Sequence, residues 1–269
     1  MKPAALFELH NDALNPTELT RGGWTDDAQH GSPPAGILGR AVEMVPTAVP
    51  MQVVRFTVDL FRAVPLAPLS ISTELVRDGR RIQVVDASLH AGGLEVGRAR
   101  ALKVRSTDLP AEDLVGTAGD DEPPHPAPED LERLDWKGVF GDYGDLLRFH
   151  TDGVEIRSVE DSFVRAVPGN SWFRLECDLL AGEEMTAFQR LAVMADLANG
   201  NSQALDPLKW LFVNPDITLY VYRLPRGEWI GMRSKVHQGA HGIGVTETAV
   251  YDRDGRVGHI SQAQILDLR

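Results

Sequence analysis

The chain has 269 residues, of which 43% are hydrophobic and 25% charged, and its formal net charge is −12. This acidic balance argues against a general surface for nucleic acid or anionic membranes, but it leaves room for a local basic pocket. The single cysteine, Cys177, excludes an intrachain disulfide. The first residues are too poor in apolar side chains to predict a signal peptide, and no apolar run reaches about 18 residues. We therefore expect a soluble, cytoplasmic protein without a membrane span.

The first half of the chain predicts a strand, a helix and then four antiparallel strands. Residues 4–9 form a short apolar run, and residues 11–29 are polar and rich in turns. A helix follows His30 and Gly31, with Ser32 as its N-cap, because the apolar residues up to position 45 share one face. Alternating residues separated by glycine turns then predict strands at 51–62, 70–77, 81–90 and 94–104.

The second half repeats this order after an interruption. Residues 106–132 are acidic and proline-rich, which is typical of a surface linker. We therefore divide the chain into an N-terminal unit at 1–106, an acidic, proline-rich linker at 107–150 and a C-terminal unit at 151–269. Strands at 153–159 and 170–178 come before a helix at 184–200, and four further strands follow at 217–223, 228–238, 244–252 and 257–268.

The helix predicted at 184–200 contains one unusual residue. It is apolar nearly all round, which is typical of a buried helix, and it ends at Asn199 and Gly200. Asp196 lies on the same stripe as Phe188 and Ala192. Because a buried carboxylate needs a partner, Asp196 is either a satisfied structural group or a functional one.

Three landmarks recur at one spacing, which predicts a duplicated unit. A helix wrapped by a long antiparallel sheet is the hotdog arrangement, so we predict an α+β double hotdog with two such repeats. The landmark pairs share one offset in residue number (161): Arg62 with Arg223, Val96 and Gly97 with Val257 and Gly258, and Gly39 with Gly200.

With this order and spacing, the sequence resembles the acyl-CoA thioesterase family of the medium-chain thioesterase II type. The resemblance covers most of both halves. It rests on these segments: His30-Gly31 before the first helix, residues 77–81 between strands, Ala195-Asp196-Leu197 in the second helix, Asn214-Pro215-Asp216 at a strand start, and residues 257–262 in the last strand.

The resemblance implies a site in which an Asp, a Gln and a hydroxyl residue activate a water for attack on a thioester. Asp196 matches the Asp and Gln262 matches the Gln, whereas the hydroxyl position falls on Asn214, which is a departure. An amide can still bond a water, so Asn214 is retained as a catalytic candidate. The implied substrate is acyl-CoA, which becomes a free fatty acid and coenzyme A, and no cofactor is implied.

The predicted start of the first helix offers donors for the negative charge that develops on the thioester oxygen. Backbone N–H groups at Gly31 and Ser32 have no intrahelical acceptor there, and His30 lies beside them. We expect these three residues to form an oxyanion or substrate-binding element. By the offset of the landmark pairs, the three catalytic candidates correspond to Ala35, Ala101 and Val53, so we predict one competent site per chain.

Other functions are kept as alternatives. A non-catalytic double hotdog that binds acyl-CoA or another lipid is one, and an enoyl-CoA hydratase using Asp27 and His30 is another.

No metal site is expected, because the histidines and the cysteine lack ligand spacing. Exposed sheet edges predict a homo-oligomer. Eight arginines of the first half are candidates for coenzyme A phosphate contacts: Arg55, Arg62, Arg77, Arg80, Arg81, Arg98, Arg100 and Arg105.

Overall fold

The computed structural model describes residues 2–11, 13–110, 122–123, 126–135, 144–159, 168–203 and 205–269. Parts of the linker predicted at 107–150 lie outside these residues: 111–121, 124–125 and 136–143. The described part contains two α-helices and one sheet of fourteen strands. No helix in this part of the chain is long and apolar enough to cross a membrane.

The helices are short and each is followed along the chain by long strands. Helix α1 spans Ser32–Met44 and α2 spans Ala187–Ala195, which a 3₁₀ turn at Asp196–Asn199 continues. The strands are β1 Ala5–His10, β2 Ala13–Pro16, β3 Met51–Leu60, β4 Leu69–Arg77, β5 Ile82–Ala91, β6 Leu94–Arg105, β7 Val154–Ser158, β8 Gly169–Leu175, β9 Asp178–Leu180, β10 Trp210–Val213, β11 Asp216–Val221, β12 Ile230–Gln238, β13 Ile243–Asp252 and β14 Gly255–Leu268.

One antiparallel seam joins the two halves. The strand order is β7-β8-β12-β13-β14-β11-β3-β6-β5-β4-β2-β1-β9, with β10 paired to β14, so β11 and β3 meet at the centre. At this seam Thr218 lies opposite Thr57, Asp216 opposite Asp59 and Tyr220 opposite Arg55. Because Thr57 and Thr218 are separated by the same offset as the landmark pairs, a local twofold axis passes between equivalent positions.

The strand boundaries follow the same offset. Strands β4 and β12 begin at the equivalent residues Leu69 and Ile230, and they end at the equivalent residues Arg77 and Gln238. The duplicated strand unit predicted from the sequence is therefore present.

One of the three landmarks was wrong, however. Gly39 lies inside α1, whereas Gly200 follows the 3₁₀ turn after α2. The helices have a smaller offset (155), which relates Ser32 to Ala187 at their starts and Met44 to Asn199 at their ends. The second half therefore has six more residues between its helix and its strands.

Both helices pack on each other and on the sheet. Helix α1 contacts β5 and β6 as well as α2. The two helices approach closely because glycines of α1 face α2: a Cβ at Gly39 would lie 2.8 Å from Ala192 Cβ, and one at Gly36 would overlap Val193 Cγ2. The apolar residues of both helices and of the inner sheet face form one core.

Several predicted boundaries need correction. Helix α2 begins three residues later than predicted, because Thr186 is its N-cap and its side-chain oxygen accepts from Gln189 N–H at 3.1 Å. The N-cap of α1 is Gly31, so Ser32 is the first helical residue. Cys177 lies between β8 and β9 rather than in a strand, and the short strands β2, β9 and β10 were not predicted.

We predict that Gly36→Ala lowers the free energy of unfolding by about 1–3 kcal/mol, because the added methyl group would overlap Val193. Val193→Ala removes the overlapping atom, although it opens a cavity of its own. The double variant should therefore be more stable than the sum of the two single effects predicts, by about 1 kcal/mol or more. Denaturant unfolding of all four proteins measures this, and simple additivity would contradict the close helix contact.

Candidate active site

The Asp196 carboxylate lies where α2 ends, and residues from both halves surround it. The side chain is 5% exposed. Asn214 Nδ2, in the turn between β10 and β11, donates to Asp196 Oδ1 at 2.7 Å. His30 Nδ1, just before α1, lies 2.8 Å from Asp196 Oδ2. The buried charge therefore has one partner on each oxygen, as a carboxylate of this burial requires.

The short contact with Asp196 indicates that Nδ1 of the His30 ring carries a proton. Ser32 N lies 3.2 Å from His30 Nδ1, so this nitrogen faces both a backbone N–H and a carboxylate oxygen. The two contacts compete for Nδ1, because the Ser32 N–H needs a lone pair there and the carboxylate needs a proton. The contact with Asp196 is the shorter and involves a charge, so we assign a proton on Nδ1 that is donated to Asp196, which leaves the Ser32 N–H without this acceptor.

Gly31 allows this approach because it has no side chain. A Cβ at this position would lie 2.6 Å from Asp196 Oδ1 and 2.7 Å from Oδ2. The φ angle of Gly31 is −65°, which any residue adopts, so close contact alone requires glycine here. Its backbone N–H donates to no acceptor among the described residues.

Gln262 lies behind Asp196 rather than beside its carboxylate. Its side chain on β14 is 1% exposed, and its Nε2 is 3.5 Å from the backbone oxygen of Asp196. Its Oε1 has no hydrogen-bond partner among the described residues. Gln262 does not line the cavity described below, so this geometry gives no support to its predicted contact with a water.

A cavity of about 440 Å³ opens in front of Asp196. Its first-half wall includes Leu60, Phe61 and Val64, and its second-half wall includes Leu197, Phe212 and Ile265. Trp24 meets Phe212 edge-to-face with ring centroids 5.0 Å apart. A mainly apolar cavity with a few convergent polar groups is typical of a small-molecule site.

The cavity brings together only some of the predicted residues. Asp196, Asn214, His30 and Gly31 all line it. Ser32 is fully buried and does not line it, and its hydroxyl has no partner among the described residues. His30 faces Asp196, a carboxylate of the other half, so its partner is not Asp27 as the hydratase alternative requires.

Sequence reasoning missed His150, which also lines the cavity. It lies in a π-helical turn at Phe149–Gly153, and its ring centroid is 5.8 Å from that of His30. Burial lowers the pKa of His150 to about 3, and His30 and Arg148 act in the same direction. The imidazole is therefore neutral at physiological pH. This segment has no periodic pattern that could have marked it.

Few of the eight candidate arginines face the cavity. Arg98 and Arg100 pair with Glu95 and Asp86 on the outer sheet face. Of the eight, Arg62 lines the cavity. Arg269, which is not one of the eight, also lines it, with its guanidinium 5.2 Å from the ring centre of Trp24. The described residues contain no group of three or more His, Cys, Asp or Glu side chains that could hold a metal. Burial raises the pKa of Cys177 to about 12, so this thiol is a poor nucleophile.

Comparison with models of protein families shows which family the chain belongs to. Residues 20–104 match the acyl-CoA thioesterase N-terminal domain, and residues 120–266 match the acyl-CoA thioesterase C-terminal domain. The second match alone covers more than half of the chain, which therefore belongs to the acyl-CoA thioesterase family. The predicted family is thus confirmed. No curated protein matches the chain.

Solved structures of low identity share the fold. A protein of Novosphingobium aromaticivorans, provisionally described as a thioesterase, has a TM-score of 0.75 and 18% identity over 99% of this chain and 100% of that chain. A hotdog protein of unknown function from Alicyclobacillus acidocaldarius has a TM-score of 0.72 and 16% identity over 98% and 96%. Acyl-CoA thioesterase II TesB2 of Mycobacterium marinum has a TM-score of 0.67 and 17% identity over 94% and 96%. The predicted double hotdog is confirmed.

We predict that His150→Gln makes the protein less sensitive to mild acid. In the folded chain His150 titrates near 3, against an ordinary value of 6.5, so below pH 6.5 only the unfolded chain gains a proton at this residue. Stability is therefore lost as the pH falls, by about 2 kcal/mol at pH 5 for this group. Denaturant midpoints at pH 7 and pH 5 should differ less in His150→Gln than in the wild type. An equal loss in both proteins would contradict the prediction, and His237→Gln serves as an exposed control.

Proposed function

We propose that the protein hydrolyses acyl-CoA thioesters to a free fatty acid and coenzyme A. The observation that carries this proposal is the Asp196 carboxylate on the wall of an apolar cavity, held by Asn214 and His30. Family membership supports the thioester as the reacting group. The apolar walls suit an acyl chain, and Arg62 and Arg269 on the same cavity suit the phosphates of coenzyme A.

In the proposed reaction, Asp196 is the general base. Each carboxylate oxygen accepts one bond from the protein and retains a lone pair for a water in the cavity. Asp196 takes one proton from this water while the water oxygen bonds to the thioester carbon. The carbon–sulfur bond then breaks, and the same proton passes to the departing thiolate. The products are a carboxylic acid and a thiol, with every proton accounted for.

The neighbouring residues take supporting roles in this proposal. Asn214 and His30 orient the carboxylate, and Gln262 is a positioning residue that acts through the backbone of Asp196. The N–H of Gly31 is a donor for the oxygen that becomes negative during the attack, because it borders the cavity and has no acceptor among the described residues.

We predict one such site per chain. By the strand offset, Gln262 and Ala101 occupy equivalent positions of β14 and β6. With the helices aligned at their own offset, Asp196 corresponds to Ala41 rather than Ala35. Alanine therefore replaces the proposed base in either alignment.

The decisive experiment is free-thiol release from saturated acyl-CoAs of graded length. Asp196→Asn keeps the shape but removes the base, so we expect kcat to fall by about 10²–10⁴-fold. His30→Gln removes only an orienting donor, so we expect a smaller loss, about tenfold. If His30→Gln loses as much as Asp196→Asn, the imidazole rather than the carboxylate is the base. Circular dichroism confirms folding of each variant.

The same assay separates the alternatives. Binding of acyl-CoA without hydrolysis at any chain length would indicate a non-catalytic binding protein. Hydration of an enoyl-CoA, followed by the loss of absorbance of its conjugated double bond, would indicate a hydratase. Asp196-dependent hydrolysis of a saturated acyl-CoA excludes both, because a saturated chain has no double bond to hydrate.

We also predict that Gly31→Ala lowers kcat about a hundredfold while the protein still folds. The new methyl group would lie within 2.7 Å of both carboxylate oxygens of Asp196, so the carboxylate must move. Displacing a catalytic group by about 1 Å reduces rates by about a hundredfold. Gly93→Ala is a control, because nothing lies within 4 Å of its Cβ position, although its φ of 82° adds some local strain. Retained activity in Gly31→Ala would contradict this geometry.

A further inference from the structure

The second-half wall of the cavity contains polar residues among apolar ones. Asn199 and Gln203 line it beside Leu197, Phe212 and Ile265. Both polar side chains are buried, and Gln203 is 4% exposed. They lie in the part of the chain that follows α2, beyond the proposed base Asp196.

A chain of hydrogen bonds from Asn199 to Gln203 fixes the directions of both amides in this wall. Asn199 Nδ2 donates to the backbone oxygen of Phe212 at 2.8 Å, which can only accept. Asn199 Oδ1 therefore accepts from Gln264 Nε2 at 2.7 Å, and Gln264 Oε1 accepts from Gln238 Nε2 at 3.0 Å. The second hydrogen of Gln238 Nε2 then points to Gln203 Oε1 at 2.9 Å.

Gln203 ends this relay with an unused donor. Its Oε1 accepts from Gln238 Nε2 and, at 3.4 Å, from the backbone N–H of Leu205. Its Nε2 is buried and has no hydrogen-bond partner among the described residues. Exchanging the two ends of the amide would place two donors face to face, so the relay holds the N–H₂ group on the side away from Gln238.

We propose that Gln203 selects acyl chains that carry an oxygen acceptor, such as an oxo or hydroxyl group, at the chain position that reaches it. This inference rests on the proposed thioester hydrolysis and names its substrate class. A plain hydrocarbon chain against this wall leaves the buried N–H₂ group without an acceptor, whereas an oxygen on the chain satisfies it.

The expected discrimination follows from the burial of the donor. Sites built to bond a polar group of the substrate reject analogues that lack it, because the protein group is then left unpaired. For one neutral buried donor we expect a preference of about tenfold to a hundredfold in kcat/KM. The neighbouring residues Leu197, Phe212 and Ile265 are apolar, and both ends of the Asn199 amide are already bonded, so the preference should occur at one position along the acyl chain.

The test compares unsubstituted acyl-CoA with oxo-acyl-CoAs of the same length, with the oxo group at successive carbons from carbon 4 outward. Carbon 3 is omitted because an oxo group there activates the thioester itself. Gln203→Leu replaces the amide by an apolar group of similar size. Gln29→Leu is the matched control, because Gln29 lines the first-half wall of the same cavity.

The proposal is supported if kcat/KM is at least tenfold higher for one oxo position than for the unsubstituted chain. This preference should be lost in Gln203→Leu and retained in Gln29→Leu. Gln203→Glu sharpens the result: a carboxylate only accepts, so this variant should favour the hydroxy-acyl-CoA over the oxo-acyl-CoA at the same carbon. Asp196-dependent hydrolysis with no preferred oxo position would overturn this inference and leave thioester hydrolysis standing. If no acyl-CoA of either series is hydrolysed, the proposed function fails and this inference fails with it.

Discussion

The hydrogen bonds of the Asp196 carboxylate join the two halves of the molecule at one point. His30 comes from the segment before α1, and Asn214 comes from the turn before β11. A carboxylate this deeply buried is tolerated only while its oxygens are bonded, so the start of α1 and the end of α2 must stay in register. The contact of Gly31 with Asp196 fixes the same register sterically. Stability and the proposed chemistry therefore depend on the same few atoms.

Equivalent residues of the two halves make different hydrogen bonds at the C-terminal ends of their helices. Lys103 on β6 and Gln264 on β14 are equivalent, and both reach the C-terminal end of the helix in their own half. Lys103 Nζ donates to the backbone oxygens of Glu43 and Val45, and burial lowers its pKa. Gln264 instead bonds the side chain of Asn199. A lysine only donates, and here it satisfies backbone oxygens at the helix end. An amide both donates and accepts, so it continues a chain of hydrogen bonds that reaches the cavity wall.

Much of the fold could be predicted from the sequence because strand alternation and glycine turns are local signals. Most strand bounds follow from one offset, whereas the pairing of Thr57 with Thr218 at the seam was not predicted. The helix offset was missed, since a helix repeat shows no alternation to anchor it. Asp196 was found because a charge on an apolar stripe is conspicuous, whereas His150 and Gln203 lie in segments without periodicity. Cytoplasmic location, a homo-oligomer and the stated domain boundaries stay predictions.

The six extra residues after α2 contribute to the second-half wall of the cavity. In the first half, Val45 to Pro50 connect α1 directly to β3. In the second half, the longer connection includes β10, and it contributes Gly200, Gln203 and Phe212 to the cavity. The proposed base stands at the beginning of this connection, at Asp196. The departure from the repeat and the buried amide of Gln203 therefore have one origin: the same extension that breaks the offset also carries this amide donor to the cavity wall.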